Sequence, residues 1–392
     1  MSYYYSVGVT SGNYLYTWYP YSSYYTSVYY GGTEEVYSGG TFSYLTSVFS
    51  GGNEEVFVGG TAEYAQVYSG GNEYIYSGGT GYYDAIYGTE TVYSGGVDSG
   101  SSIEYLTGNQ YLSSGATAYY DTDYWNQFIS AGATTYYNVG EFNGDQYNYG
   151  TMNSSYVYSG SRDHVESGGF AYVTNVYSGG TNYVSAGGLA EYSYISSGGV
   201  EQVNGNSYYG TIYAGGVQYV NYGGYVYDFG NYGAQYVYSG GEISYTYDYA
   251  GGYDETYAGG LAYDTQIQSA GTEYVYGSSY YATISAGGYQ YVESGGLTSV
   301  TYNYGTQVDL YGGVTSYTYD YSGSVDSVYG GGAQYYVQIE SGGVEYVSGS
   351  TYYADSYYGT IYAGGYQYVE YLGYAYDMSN YGAQYVLSLI HI

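Results

Sequence analysis

The sequence predicts an all-β protein whose chain winds into a parallel β-helix (β-solenoid) of about 20 coils, with a period of about 17–20 residues. Three observations support this fold. Gly-Gly pairs alternate between a short and a long spacing, an acidic or amide residue recurs once per period, and an aliphatic residue follows it two positions later. The composition of the 392 residues, with 81 Tyr, 69 Gly and no Cys, is unlike that of ordinary globular enzymes.

The spacing of the Gly-Gly pairs defines a short arm and a long arm in each coil. The first Gly of successive pairs falls at positions 31, 39, 51, 59, 70 and 78, so steps of 8 alternate with steps of 11 or 12. Glycine can turn a corner with positive φ, which predicts a bend at each pair. Frequent glycine, β-branched and aromatic residues oppose helix formation, so each arm is predicted to contain a β-strand.

A column of acidic and amide residues marks the short arm. It has 20 members separated by 17 to 22 residues, and an aliphatic residue lies two positions after 17 of them. The members are Glu34, Glu54, Glu73, Glu90, Gln110, Gln127, Gln146, Asp163, Asn182, Glu201, Gln218, Gln235, Asp254, Glu273, Gln290, Gln307, Asp326, Glu345, Gln367 and Gln384.

The alternation of side chains along a strand predicts which residues point inward. The column residue and the aliphatic residue are two positions apart and share one face, whereas the residue between them, Tyr in 11 coils, faces outward. One short strand cannot bury its inner face alone, so successive coils are expected to stack in register about 4.8 Å apart. Twenty such coils would form a rod on the order of 95 Å long.

Several repeat units carry a family resemblance. SAGGYQYVESGG (residues 285–296), YAGGVQYVNYGG (213–224) and YSGGTNYVSAGG (177–188) resemble the strand-loop-strand repeats of bacterial autotransporter passenger domains, as in the adhesin of diffuse adherence. The resemblance implies a right-handed solenoid displayed outside the cell and exported by a C-terminal outer-membrane barrel. It also implies adhesion, self-association and, in many members, Ser/Thr glycosylation. The long arms of this chain depart from the pattern because they are rich in Tyr.

Three regions are predicted along the chain. Residues 1–30 precede the regular repeat and are expected to form an N-terminal cap, and residues 31–386 form the solenoid. The last six residues, LSLIHI, interrupt the register and resemble a translated sequencing adaptor. Residues 387–392 are therefore predicted to be a non-native tail, and the natural protein is expected to continue into a barrel that provides its only membrane attachment.

Charge and residue types argue against an enzyme and against nucleic-acid binding. The chain has 34 acidic residues and one basic residue, for a formal net charge of −33, so it cannot neutralise a phosphate backbone. His164 occupies an outward position of the column strands, where most coils have Tyr. Arg162 is predicted to form a surface ion pair. The steps between coils leave no room for a catalytic loop, and no cofactor is predicted.

The acidic end of the column is a candidate metal site. Glu34, Glu54, Glu73 and Glu90 would stack above one another, and their repulsion could be relieved by Ca²⁺, by protonation or by solvent. Most later coils carry Gln at this position. This pattern favours a ladder of hydrogen-bonded amides over a metal site.

Aromatic residues supply the candidate binding surface. One candidate is the tyrosine-bearing face of the solenoid, represented by Tyr219, Tyr236, Tyr274 and Tyr291. Rings with nearby carboxylates also suit sugar recognition, and the densest such segment consists of Tyr119, Tyr120, Asp121, Asp123, Tyr124 and Trp125, although an ordinary coil is the favoured interpretation.

These features predict a cell-surface or secreted adhesin-like rod, which the barrel of the full-length protein would anchor in the outer membrane. It is expected to bind other copies of itself, or glycans or proteins on a host or neighbouring cell, through its tyrosine-rich face. The alternative is a structural coat or fibre protein without a specific receptor. A glycan array would distinguish the two, because only an adhesin should retain selected sugars.

Overall fold

A computed structural model of the protein describes residues 2–38 and 42–387. These residues form β-strands joined by turns, and the strands pair in parallel, which confirms the predicted all-β solenoid. None of the described residues belongs to a helix that is long and apolar enough to span a membrane. The chain divides into two compact units, residues 1–194 with 198–201, and residues 195–197 with 202–392.

Each coil contributes one strand from its short arm. In the first unit these strands are Tyr14–Thr17, Thr33–Val36, Asn53–Val56, Asn72–Ile75, Thr89–Val92, Asn109–Leu112, Asn126–Ile129, Asp145–Asn148, Arg162–Val165 and Thr181–Val184. Val200–Val203 contains the boundary between the units. In the second unit the strands are Val217–Val220, Ala234–Val237, Tyr253–Thr256, Thr272–Val275, Tyr289–Val292, Thr306–Asp309, Val325–Tyr329, Val344–Ser348, Tyr366–Val369 and Ala383–Val386.

Each long arm contributes two short strands or one longer strand. In the first unit these are Ser2–Tyr5, Gly8–Val9, Tyr21–Tyr24, Ser27–Val28, Phe42–Tyr44, Ser47–Val48, Thr61–Glu63, Gln66–Val67, Thr80–Tyr82, Ala85–Ile86, Val97–Ser99, Ser102–Ile103, Thr117–Tyr119, Thr122–Asp123, Thr134–Tyr136, Val139–Gly140, Thr151–Val157 and Phe170–Val176, followed by Leu189–Ile195, whose last residue belongs to the second unit. In the second unit they are Asn206–Tyr208, Thr211–Ile212, Tyr225–Tyr227, Gly230–Asn231, Glu242–Ser244, Tyr247–Asp248, Leu261–Tyr263, Gln266–Ile267, Ser278–Tyr280, Thr283–Ile284, Leu297–Asn303, Val314–Asp320, Ala333–Tyr335, Gln338–Ile339, Ala354–Tyr357, Thr360–Ile361, Gly373–Tyr376 and Ser379–Asn380.

The short-arm strands pair in the register that the column of acidic and amide residues predicts. In the first unit Glu34 pairs with Glu54, and in the second unit Gln218 pairs with Gln235. The aliphatic residue two positions later, for example Val56, is completely buried. Strand alternation therefore places both the column and the aliphatic residues in the interior, as predicted.

The corners use glycine as expected, but the long arm contains an additional bend. At one corner Gly78 has a φ of +75°, and a Cβ on Gly79 would lie only 2.4 Å from the carbonyl oxygen of Val56 in the preceding coil. Halfway along the long arm a non-glycine residue adopts positive φ, such as Tyr64 at 56° and Tyr83 at 58°. This left-handed bend was not predicted, because tyrosine carries no sequence signal for that conformation.

The regular coils begin before the predicted boundary between the N-terminal cap and the solenoid at residue 31. Ser2 pairs with Tyr21, and Leu15 pairs with Glu34, so residues before position 31 already form coils in the common register. The sequence analysis missed them because Leu15 replaces the acidic or amide residue of the column. Residues 388–392, nearly all of the predicted non-native tail, lie outside the described residues, as do Gly39 and Gly40 of the second Gly-Gly pair.

Candidate functional site

An uninterrupted stack of rings lies on the outer face of the first unit's short arms. It consists of Tyr111, Phe128, Tyr147, His164 and Tyr183, which occupy the position after the column residue in consecutive coils. Neighbouring ring centroids are 4.7 to 5.1 Å apart, and their planes are within 10° of parallel. The coil spacing fixes this geometry, and each stacked pair contributes on the order of 0.5–1.5 kcal/mol beyond area burial.

The four tyrosines predicted in the second unit lie on the same outer face. Tyr219 stacks on Tyr236 at 5.4 Å, and Tyr274 stacks on Tyr291 at 5.3 Å. Glu255 takes the position between the two pairs, and the ring of Tyr253 contacts both Tyr236 and Tyr274 edge-on. The structure therefore gathers the predicted residues into a half-buried aromatic column.

One hydroxyl in this column is strongly perturbed. A hydrogen bond with the hydroxyl of Tyr253, together with burial, raises the pKa of Tyr236 to about 12. Tyr236 therefore remains neutral at any physiological pH. The column presents uncharged phenols that can donate and accept hydrogen bonds.

The structure does not bring the residues of the predicted cluster at 119–125 together on one surface. The side chains of Asp121 and Asp123 are completely buried, whereas Tyr120 is 60% exposed. The rings enter separate contacts: Tyr119 and Tyr120 stack on the next coil, Tyr124 stacks on Phe142, and Trp125 meets Tyr105 edge-on. Proximity in sequence was misleading here because strand alternation and the long-arm bend send carboxylates and rings to opposite sides.

A further ring stack lies at a corner of the first unit and was not singled out from the sequence. Tyr37, Phe57, Tyr76 and Tyr93 stack at 4.7 to 4.9 Å and line an open groove together with serines of the neighbouring coils. The available signal was an aromatic residue directly after the buried aliphatic residue of each short arm. The groove offers apolar ring faces and small hydroxyls to a surface ligand.

The interior of the solenoid is unusually acidic. Half of the 34 Asp and Glu residues have buried side chains, including every acidic member of the column. The sequence analysis allowed solvent to relieve the repulsion among Glu34, Glu54, Glu73 and Glu90, and this possibility is wrong because all four side chains are completely buried. Burial therefore dominates the chemistry of these groups.

Hydrogen bonding differs sharply among the four glutamates. Hydroxyl groups of Thr17, Ser23, Thr26 and Thr46 donate to Glu34. These bonds lower its pKa, but burial still leaves the pKa above its usual value. Burial and the neighbouring Glu34 raise the pKa of Glu54 to about 8.

The pKa values of Glu73 and Glu90 are raised furthest. Burial is the main cause for both, with repulsion from Asp84 next for Glu73 and from Asp98 next for Glu90. Asp84 and Asp98 come from the long arms, where the sequence analysis identified no inward acidic position.

The two basic candidates lie on the outside, as predicted. The side chain of Arg162 is about half exposed, and its Nη1 lies 3.2 Å from Oδ1 of Asp145. His164 stacks between Tyr147 and Tyr183, with its Nε2 3.9 Å from the same oxygen of Asp145. Asp163, between them in sequence, points inward, and burial raises its pKa to about 7.

Comparison with known proteins gives one structural neighbour to report. No protein-family model and no curated protein matches the sequence. A crystal structure of a TibC-catalysed hyper-glycosylated TibA fragment is similar at 22% identity and a TM-score of 0.27, with 99% of this chain and 100% of that chain covered. The fold described above rests on the strand pairing within this chain.

Proposed function

We propose that the protein is an adhesin-like segment that associates with other copies of itself or with a partner cell surface through its stacked aromatic columns. The observation that carries this proposal is the repetition of parallel phenol rings along the outer faces of both units. Such surfaces combine apolar ring area with hydroxyl groups and lose little side-chain entropy on binding.

Two features favour protein or self-association over sugar recognition. The carboxylates that would accompany the rings in a sugar site, Asp121 and Asp123, lie in the interior. The outer rings are held at fixed spacing by the coils and present extended columns. A partner with aromatic or apolar groups at a matching repeat, above all a second copy of this chain, suits that surface.

Location and activity follow from the same proposal. The repeat units that resemble autotransporter passengers support a cell-surface or secreted location. The proposal includes no catalytic role, since the functional groups it uses are ring faces and phenol hydroxyls. It includes no nucleic-acid partner, given the net charge of −33.

Replacement of four rings tests the proposal. The combined substitution of Tyr219, Tyr236, Tyr274 and Tyr291 by Ser should leave the far-ultraviolet circular dichroism unchanged, because these side chains lie outside the core. It should reduce self-association in analytical ultracentrifugation, or binding to cells, several-fold.

The matched control replaces four other stacked tyrosines of the second unit by Ser. These are the pairs Tyr232 with Tyr249 and Tyr304 with Tyr321, whose rings stack at 4.5 and 4.4 Å. These rings directly follow long-arm strands and lie outside the short-arm column on which the proposal rests, so the control should retain more association than the test variant. Undiminished association in both folded variants would refute aromatic contact as the mechanism, and the coat protein without a receptor would become the better description.

A further inference from the structure

Three buried carboxylates of the first unit converge on one point. Glu73 and Glu90 come from consecutive short-arm strands, and Asp84 comes from the long-arm bend between them. One oxygen from each side chain lies within 4.8 Å of the others, and none of the three side chains is more than 1% exposed. The coils therefore enclose three acidic groups without access to solvent.

Glu73 accepts no hydrogen bond from an amide, a hydroxyl or a backbone N–H group of the described residues. Both of its carboxylate oxygens are buried without a donor, and Oε1 of Glu90 is in the same condition. Glu34, at the equivalent position two coils earlier, is met by four hydroxyl groups. A buried carboxylate without donors is costly, so these oxygens need a ligand that accepts their electron pairs.

The backbone of the long arm packs closely against the cluster at Gly81. Gly81 occupies an inward position of the long arm, paired with Ala62 of the preceding coil. A Cβ added to Gly81 would lie 2.6 Å from Cδ1 of Ile75, 2.8 Å from Oδ1 of Asp98 and 3.0 Å from Oδ2 of Asp84. The absence of a side chain at this position therefore lets the carboxylates of Asp84 and Asp98 pack directly against the backbone.

The chain itself supplies no positive charge beside these three carboxylates. Its one Lys or Arg residue, Arg162, is on the surface and paired with Asp145. Neutralisation must therefore come from protons or from a bound cation. Gln110 donates to Oε2 of Glu90 at 2.7 Å, which leaves Oε1 of Glu90 and both oxygens of Glu73 for that cation.

We propose that Glu73, Asp84 and Glu90 bind a Ca²⁺ ion inside the first unit. Calcium takes carboxylate oxygens at about 2.3–2.6 Å in flexible geometry, so two oxygens on one ion lie at most about 4.6–5.2 Å apart, and the observed cluster fits that limit. Mg²⁺ demands octahedral geometry and retains several waters, which suits this sealed interior less well. The ion enters as the coils stack, so binding is coupled to folding.

Glu73→Gln tests the site in the full chain. Gln occupies the equivalent position at residues 110, 127 and 146, so the substitution is compatible with the fold. Wild-type protein refolded in CaCl₂ and then dialysed should contain about one Ca²⁺ per chain more than the variant, as measured by elemental analysis. At pH 7.5, about 1 mM CaCl₂ should raise the melting temperature of the wild type by about 5–10 °C relative to chelator, and this shift should be lost in the variant.

Glu34→Gln is the matched control, because it removes a buried carboxylate of the same column whose oxygens already have donors. This variant should keep both the bound ion and the calcium-dependent shift. Should Glu73→Gln fail to fold, Glu90→Gln must give the same loss of one ion. A wild type without bound Ca²⁺ and with the same melting temperature in chelator would overturn the proposal and show that protons alone neutralise the cluster. Equal ion loss in Glu34→Gln would also overturn it.

Discussion

Two stretches of the interior column in the first unit differ in how their buried polar side chains are hydrogen-bonded. The amide stretch consists of Gln110, Gln127 and Gln146, and the acidic stretch consists of Glu54, Glu73 and Glu90. In the amide stretch, Gln127 donates its side-chain N–H to Oε1 of Gln110 at 2.6 Å, and Gln146 donates to Asp123, so each amide supplies a donor to the interior. In the acidic stretch, Glu54, Glu73 and Glu90 occupy the same positions and, when ionised, can only accept. An amide brings its own donor to the interior, whereas an ionised carboxylate depends on hydroxyl groups, protons or cations.

The same two stretches also differ on their outer faces. The amide stretch carries the continuous ring stack that includes Phe128 and Tyr147. Outside the acidic stretch the corresponding residues are Glu55, Tyr74 and Thr91, which cannot form such a stack. The outer face of the amide stretch is therefore a regular stack of rings, whereas the outer face of the acidic stretch changes from coil to coil.

The largest expected effect is a loss of stability as the pH rises. Glu54, with its pKa raised to about 8, and Asp163, raised to about 7, keep protons in the folded state that the unfolded chain has already released. This stability is fully present below the unfolded pKa values, near 4, and is lost as the pH rises through 7 to 8. Each such group changes the free energy of unfolding by about 1.4 kcal/mol per pH unit between its two pKa values.

Urea unfolding in chelator, followed by circular dichroism, checks this prediction. The midpoint at pH 5 should be well above the midpoint at pH 8.5. A midpoint that is constant or higher at pH 8.5 would contradict the assignment of these carboxylates as protonated in the folded state.

An exchange of residue types between the two stretches should have an intermediate effect. Gln127→Glu replaces a donor with an acceptor beside Gln110 and should destabilise the protein at pH 8 by about 2–4 kcal/mol. Glu54→Gln removes a carboxylate that must hold a proton in the fold and should stabilise the protein at pH 8. At pH 5 the free energies of unfolding of both variants should approach that of the wild type. If both variants shifted the free energy of unfolding in the same direction at pH 8, the number of hydrogen-bond donors in the column would not determine its stability.

The smallest expected effect concerns the outer rings. Tyr147→Leu removes a ring that stacks on both neighbours, at 5.1 and 4.7 Å, and should cost about 0.5–1.5 kcal/mol in urea unfolding. Tyr74→Leu makes the same change at the equivalent position of the acidic stretch, where the nearest rings are tilted or more distant, at 6.4 to 6.5 Å. The loss at Tyr74 should be smaller, and equal losses would remove the distinction between the two outer faces.

Much of the fold could be predicted because its information is local and repeated. The spacing of glycine pairs set the register that aligns Glu34 with Glu54, and strand alternation placed Val56 in the core and Tyr147 outside. The right-handed twist implied by the family resemblance stays a prediction. The coil at Leu15 was missed because one substitution erased its column signal.

The candidate sites were less accessible from sequence. Asp84 and Asp98 belong to long arms whose register depends on a left-handed bend at tyrosines such as Tyr83. The meeting of Asp84 with Glu73 also depends on a contact between different arms of the coil. The repeat pattern within one arm does not predict contacts with the other arm, so the acidic cluster could be identified only from the structure.

The coil-to-coil register has a consequence for how the gene can change. Because equivalent residues pair directly, as Glu54 does with Glu73, the insertion or deletion of one whole coil leaves the pairing of the remaining coils in phase. A single-residue insertion within a short-arm strand would instead exchange its two faces and bring residues such as Val56 to the outside. Whole repeats can therefore be gained or lost with the pairing intact, whereas the insertion or deletion of one residue inside a strand disrupts it.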